Sequence, residues 1–118
     1  MAEKNYITLK ELAVYQLSGK LSAHAWKIFD AMNYEKRTMG EQFIRSIDAV
    51  GANLAKGYNR YHYLDKIRFY YYSRASLAEA AEHWLKLMYE RKKISKEDFE
   101  FMKNIHQKLQ MKRNKLFV

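Results

Sequence analysis

Apolar residues recur along most of this chain at intervals of three and four, the period of a helix with one buried face. From Thr8 to Met32 they fall at Leu9, Leu12, Leu17, Leu21, Ile28 and Met32. Thr8 is followed three residues later by Glu11, the pair in which a hydroxyl and a carboxylate satisfy free amides at a helix start. A first helix is predicted over about 9–32. A short polar connector at 33–37 leads to a second helix over about 39–57, opened by Thr38 and Glu41 and carrying Phe43, Ile47, Val50 and Leu54 on one face. Gly57 is placed to end it in a left-handed turn. The third and longest segment, 64–90, aligns Leu64, Ile67, Tyr71, Ala75, Ala78, Leu85 and Met88. After Arg91-Lys92-Lys93, Ser95 and Asp98 mark the start of a fourth helix over about 96–115, with Phe99, Met102, Ile105 or His106, and Leu109 turned inward. No fixed-period repeat is present. Four amphipathic helices with short links predict an all-α fold, an antiparallel up-down-up-down four-helix bundle occupying 1–118 as a single domain.

The third helix carries more apolar surface than one face needs. Phe69, Ser73, Ser76, Leu77, Ala80, Trp84 and Leu87 form a second stripe, while Asp65, Arg68, Glu79, Glu82, His83 and Lys86 crowd into a sector of roughly 100°. Such a helix must cover two neighbours. It is either central within the bundle or packed against another subunit, and the second reading makes Phe69, Leu77, Trp84 and Leu87 candidates for an oligomer interface.

Composition supports the helical reading: among 118 residues there is no proline and there are four glycines, the two residue types that penalise helix interiors. Cysteine is absent, which excludes disulfides, thiolate metal sites and a Cys nucleophile. Residues 1–6 lack an apolar core of the signal-peptide kind, and no charge-free apolar run reaches membrane-spanning length, so a cytoplasmic protein without a membrane span is expected. Lys and Arg number 22 against 13 Asp and Glu, a formal charge of +9. That excess favours polyanionic partners, nucleic acid ahead of a membrane surface, although charge also serves solubility alone.

The chain offers no recognisable catalytic constellation. A carboxylate-bridged di-metal site needs two Glu-x-x-His motifs and two further glutamates; the nearest approach is Glu79 with His83 and Glu82, better read as a surface charge pair. His24, His62 and His106 are scattered singly, and the glycines at 19, 40, 51 and 57 form neither a phosphate-binding loop nor a nucleophile elbow. No metal, no cofactor and no enzymatic activity are expected. Basic and aromatic residues do interleave at Lys56, Tyr58, Arg60, Tyr61, His62, Tyr63, Lys66, Arg68, Tyr70, Tyr71 and Tyr72. Single-stranded nucleic acid is held by this combination, cations on phosphates and rings on bases. Tyrosines at helical spacing also serve as core, so Tyr58, Tyr61 and Tyr63 are the stacking candidates. Lys103, Lys108, Lys112, Arg113 and Lys115 form a second basic cluster, which could equally complement the end of a helix.

The order of motifs resembles a known family. Gln42-Phe43-Ile44-Arg45 leads into Ala52-Asn53-Leu54-Ala55-Lys56-Gly57-Tyr58-Asn59-Arg60, and Ala75-Ser76-Leu77-Ala78-Glu79 follows. This is similar to the four-helix-bundle proteins encoded in intervening sequences of bacterial 23S rRNA genes, from about Leu9 to Phe117. Lys56 stands where that family has Glu, and Ala75 where it has Gly. The resemblance implies a homopentameric barrel, and the chain also looks like the accessory variability protein of diversity-generating retroelements, which binds nucleic acid and engages a reverse transcriptase.

The expected function is therefore a non-enzymatic, oligomeric nucleic-acid-binding protein with RNA favoured over DNA. Lys56, Arg60, Lys66 and Arg68 are the expected phosphate contacts, with Arg45, Lys112 and Arg113 supplementary and Tyr58 and Tyr61 available to bases. Asn53, Gly57, Ser76 and Glu79 are expected to be structural, Asn53, Ser76 and Glu79 through hydrogen bonds between helices or subunits. The alternative is a scaffold that recruits a protein partner such as a reverse transcriptase.

Overall fold

A computed structural model describes residues 8–32 and 37–114, without the side chains of residue 37 and of 112–114. The described residues form helices joined by short turns, with no strand. Helix α1 is Ala13–Asp30, α2 is Arg37–Tyr58, α3 covers 63–90, and α4 is Lys96–Asn114. One apolar core joins all four in a helical bundle.

Three helix starts differ in kind. Thr8 opens only a 3-10 turn, Leu9–Glu11, without a side-chain cap bond; the extended backbone of Leu12 then interrupts the chain before α1 begins. Thr38 already lies inside α2. Ser95 behaves as its position suggests, its Oγ accepting the Asp98 amide at 3.0 Å, which satisfies one of the free donors of the first turn.

The cores of α1 and α2 follow the helical period: Val14, Ser18, Leu21, Ala25, Ile28, Phe29 and Met32 face Phe43, Ile44, Ile47, Val50 and Leu54. The helices approach closely where side chains are small. A Cβ at Gly40 would lie 2.7 Å from Met32 Sδ and 2.8 Å from the Phe29 ring. Gly57 does not terminate α2 in a left-handed turn, since no glycine has positive φ. It is buried, and a Cβ there would meet the Tyr70 ring at 2.7 Å and the Lys66 carbonyl at 3.2 Å. Its smallness lets α3 cross α2.

Helix α3 buries Ser73, Leu77 and Ala80, then Leu85 and Met88. The five-residue step from Ala80 to Leu85 spans a π-helical segment, Glu79–Leu85, between Tyr63–Ala78 and Lys86–Glu90. In an unbroken α-helix, Leu85 would sit about 140° away from Ala80 at 100° per residue. The wider turn brings residues five apart into line, and Trp84 Nε1 donates to Glu79 Oε2 at 2.8 Å across that interval. The core face of α3 therefore starts on the second apolar stripe and finishes on the first. Two sequence expectations fall with this: Leu77, a candidate for a subunit interface, is buried in the protomer's own core, whereas Leu64, Tyr71 and Ala75, expected inside, are exposed.

The α3–α4 turn ends on a left-handed Lys92, φ 57°. Lys93 N–H donates to Met88 O at 2.8 Å and Lys92 N–H to Tyr89 O at 3.0 Å, the paired bonds of a Schellman ending, in which glycine is the usual residue. His24 Nε2 lies 3.0 Å from Asp98 Oδ1, and its ring stacks on Phe101 at 4.2 Å. These contacts tie α1 to α4.

Three substitutions test these claims by thermal unfolding. Gly19, mid-helix with nothing near its missing Cβ, should gain about 0.5–1 kcal/mol on change to Ala. Gly57→Ala should lose about 1 kcal/mol, because overpacking outweighs the same propensity gain. Lys92→Gly should stabilise by about 0.5–1 kcal/mol, relieving a left-handed residue with a Cβ.

Candidate nucleic-acid interface

The corner between α2 and α3 gathers most of the basic and aromatic candidates, and its local structure decides which remain available. The last carbonyls of α2 are satisfied from within: Asn59 Nδ2 donates to Ala55 O at 2.8 Å, Arg60 N–H to Gly57 O at 3.2 Å, and Lys66 Nζ to Tyr58 O at 2.9 Å. Lys66 thus serves as a helix cap, with its ammonium also 5.8 Å from the Tyr58 ring centroid. Arg68 is paired with Asp65 at 3.2 Å. Both were expected to contact phosphates, and both already hold structural partners.

Lys56 and Arg60 are exposed and carry no ion pair among the described residues. Together with Ala55 and Asn59 they line a shallow depression of about 360 Å³. Arg60 is braced by Phe69, its guanidinium carbon 4.5 Å from the ring centroid. Arg68 approaches the same ring at 5.4 Å, and Tyr72 packs edge-on at 5.6 Å. Phe69, expected at a subunit interface, is the platform of this cationic corner. No acidic residue stands between Asp48 and Asp65, and Asp65 is held by Arg68.

The aromatic candidates divide by exposure. Tyr58 is half-buried against α3, while Tyr61 is 92% exposed and Tyr63 68%. Tyr61 meets His62 edge-to-face at 5.2 Å. Tyr70, half-buried above Gly57, has its phenol pushed above the ordinary 10.0, first by burial and then by the neighbouring Tyr58.

Arg45 lies elsewhere. It is about 16 Å along α2 from Lys56 at 1.5 Å per residue, on the wall of a groove between α1 and α2. That groove, about 480 Å³, is lined chiefly by Trp26, Phe29, Ile44, Ala49 and Ala52, with Glu41 and Asp48 beside Arg45. Asp48 fixes the groove by accepting from Ser22 Oγ at 2.6 Å and Trp26 Nε1 at 3.0 Å. The sequence reading missed Trp26, which sits off the core stripe of α1. Lys112 and Arg113 fall outside the residues whose side chains are described.

The structural motif residues act locally. Asn53 Nδ2 bonds to Ala49 O of its own helix at 2.9 Å, and Glu79 holds Trp84 within α3. Ser76 is half-buried. On α3 a buried hydrogen bond to another helix comes from Ser73, whose Oγ donates to Val50 O at 2.8 Å. The expected Glu79–His83 charge pair is replaced by the Trp84 contacts, His83 packing edge-on to that indole at 4.6 Å. Trp84 itself and Leu87 are half-buried. Among the described residues, no group of three metal-ligating side chains converges.

A model of the 23S rRNA-intervening sequence protein family matches residues 10–115. A solved structure from Bacteroides thetaiotaomicron, a protein with unknown function from the S23 ribosomal protein family, is similar with a TM-score of 0.80 and 19% sequence identity, over 87% of this chain and 93% of that one. At that identity it speaks for the fold. No curated protein matches.

Burial of Tyr70 makes a pH prediction. Its raised value means the folded chain keeps a proton that the unfolded chain begins to lose near pH 10. The associated stability is intact below that pH and is lost as pH rises through the folded value. Melting temperature should fall more steeply above pH 10 in the parent protein than in Tyr70→Phe, measured by circular dichroism.

Proposed function

The chain belongs to the 23S rRNA-intervening sequence protein family, and on that premise we propose that it is a non-enzymatic, cytoplasmic nucleic-acid-binding protein that favours RNA. The observation that carries the reading is the α2–α3 corner, where Lys56 and Arg60 carry no ion pair among the described residues, Asp65 being held by Arg68, while the helix end beside them is already capped. Cations with no carboxylate partner among the described residues on a chain of charge +9 are suited to phosphate, because each contact releases counterions from the polyanion. The family's association with rRNA genes favours RNA over DNA.

The protomer is proposed to run up-down-up-down and to assemble as a homopentamer. Support for the first comes from contacts that step backwards along α2 as α1 advances: Ser18 on Gly51, Ser22 and Trp26 on Asp48, Phe29 on Gly40. Support for assembly comes from the exposed Leu64, Tyr71 and Tyr72 of α3, an apolar strip of the kind that marks interfaces. A ring would multiply weak phosphate contacts by avidity.

The α1–α2 groove favours a second reading, a scaffold that docks a protein partner such as a reverse transcriptase. Its apolar lining around Trp26 is unlike the cationic corner.

Charge reversal decides between the two. Fluorescence-anisotropy titration of an RNA with the Lys56→Glu/Arg60→Glu variant should show at least about a tenfold loss of affinity at physiological salt. The log–log salt slope should flatten by about 1.4–1.8 for two lost phosphate contacts. Unchanged affinity and slope would remove the corner from the site and leave the scaffold reading.

A further inference from the structure

The corner carries more than charge. Its two most exposed rings lie outside the core, Tyr61 within the segment that joins α2 to α3 and Tyr63 at the first residue of α3. Tyr61 is 92% exposed and follows directly on Arg60, whose guanidinium is held against Phe69. The depression lined by Lys56, Asn59 and Arg60 is therefore adjacent in sequence to an open aromatic face. Resting on the nucleic-acid reading above, we infer that this corner selects unpaired nucleotides: a phosphate seats on Lys56 and Arg60, and the neighbouring base stacks on Tyr61.

In a duplex the faces of the bases are covered by their neighbours, and only edges, sugars and phosphates are presented to protein. A ring standing in solvent gains from a base only when that base is splayed out of its stack, and this contact tolerates any base because each has a π-face. The cationic half of the corner is indifferent to strand state. The aromatic half is not. Its rigidity favours the assignment, since Arg60 is oriented by Phe69, and Phe69 in turn by Tyr72 and Arg68; a braced guanidinium gives up little side-chain freedom on meeting a phosphate. Asn59 donates one amide hydrogen to Ala55 O and forms part of the wall of the depression.

The test compares an unstructured single-stranded RNA 12-mer with a blunt RNA duplex of the same length, titrated by anisotropy at physiological salt. The proteins are the parent chain, Tyr61→Ala, Tyr61→Phe and Lys56→Glu/Arg60→Glu. Circular dichroism verifies folding, which an exposed side chain such as Tyr61 should not affect. The expected result is a preference for the single strand. Tyr61→Ala should weaken that complex about tenfold and leave duplex binding unchanged, while Tyr61→Phe retains the parent affinity. If single strand and duplex bind equally, or if Tyr61→Ala has no effect while the charge reversal abolishes binding to both, the selection for unpaired nucleotides is overturned and the nucleic-acid reading survives. If the charge reversal also changes nothing, both fall.

Discussion

The closeness with which α2 meets its neighbours governs the remaining geometry. Gly40 admits Phe29 and Met32 from α1, and Gly57 admits the ring of Tyr70 from α3. The second crossing falls in the last turn of α2, so the packing requirement and the end of the helix coincide. With α3 held so near, Lys66 reaches back to the Tyr58 carbonyl and caps α2 from the next element. The end of α2 is thereby capped without using the side chains of Lys56 or Arg60, which carry no ion pair among the described residues.

A second constraint acts along α3. Its sequence carries two apolar stripes, and one straight α-helix cannot present both to one core. The π turn over Glu79–Leu85 resolves the conflict by shifting the buried face in mid-helix. Below it, Leu85 and Met88 are buried; above it, Leu77 is buried and Ser73 bonds to Val50 of α2. The discarded upper part of the first stripe, with Leu64 and Tyr71, is left in solvent. Exposed rings on this stretch, and the platform formed by Phe69, both trace to that single extra residue.

Of the candidate site, the sequence made the location legible and the membership only in part. Tyr61 and Arg60 could be singled out because ring and charge adjoin in an acid-free run. Lys66 and Arg68 carried the same signal, yet one caps a carbonyl and the other pairs with Asp65. Composition cannot distinguish a cation that serves the backbone from one that is free, since the difference lies in distances of a few ångströms between elements. Trp26 escaped notice because its partner, Asp48, belongs to another helix.

The sequence by itself determined the helical class, the number of long helices and the faces of α1, α2 and α4, because these rest on a local period that each segment carries alone. It also determined membership of the family, since the motifs from Gln42 to Glu79 are read in order along the chain. Tertiary structure decided the role of Gly57, the buried stripe of α3 and the freedom of each cation at the corner. Those depend on which atoms of distant segments compete for the same space and the same hydrogen bonds, and no single segment encodes that competition.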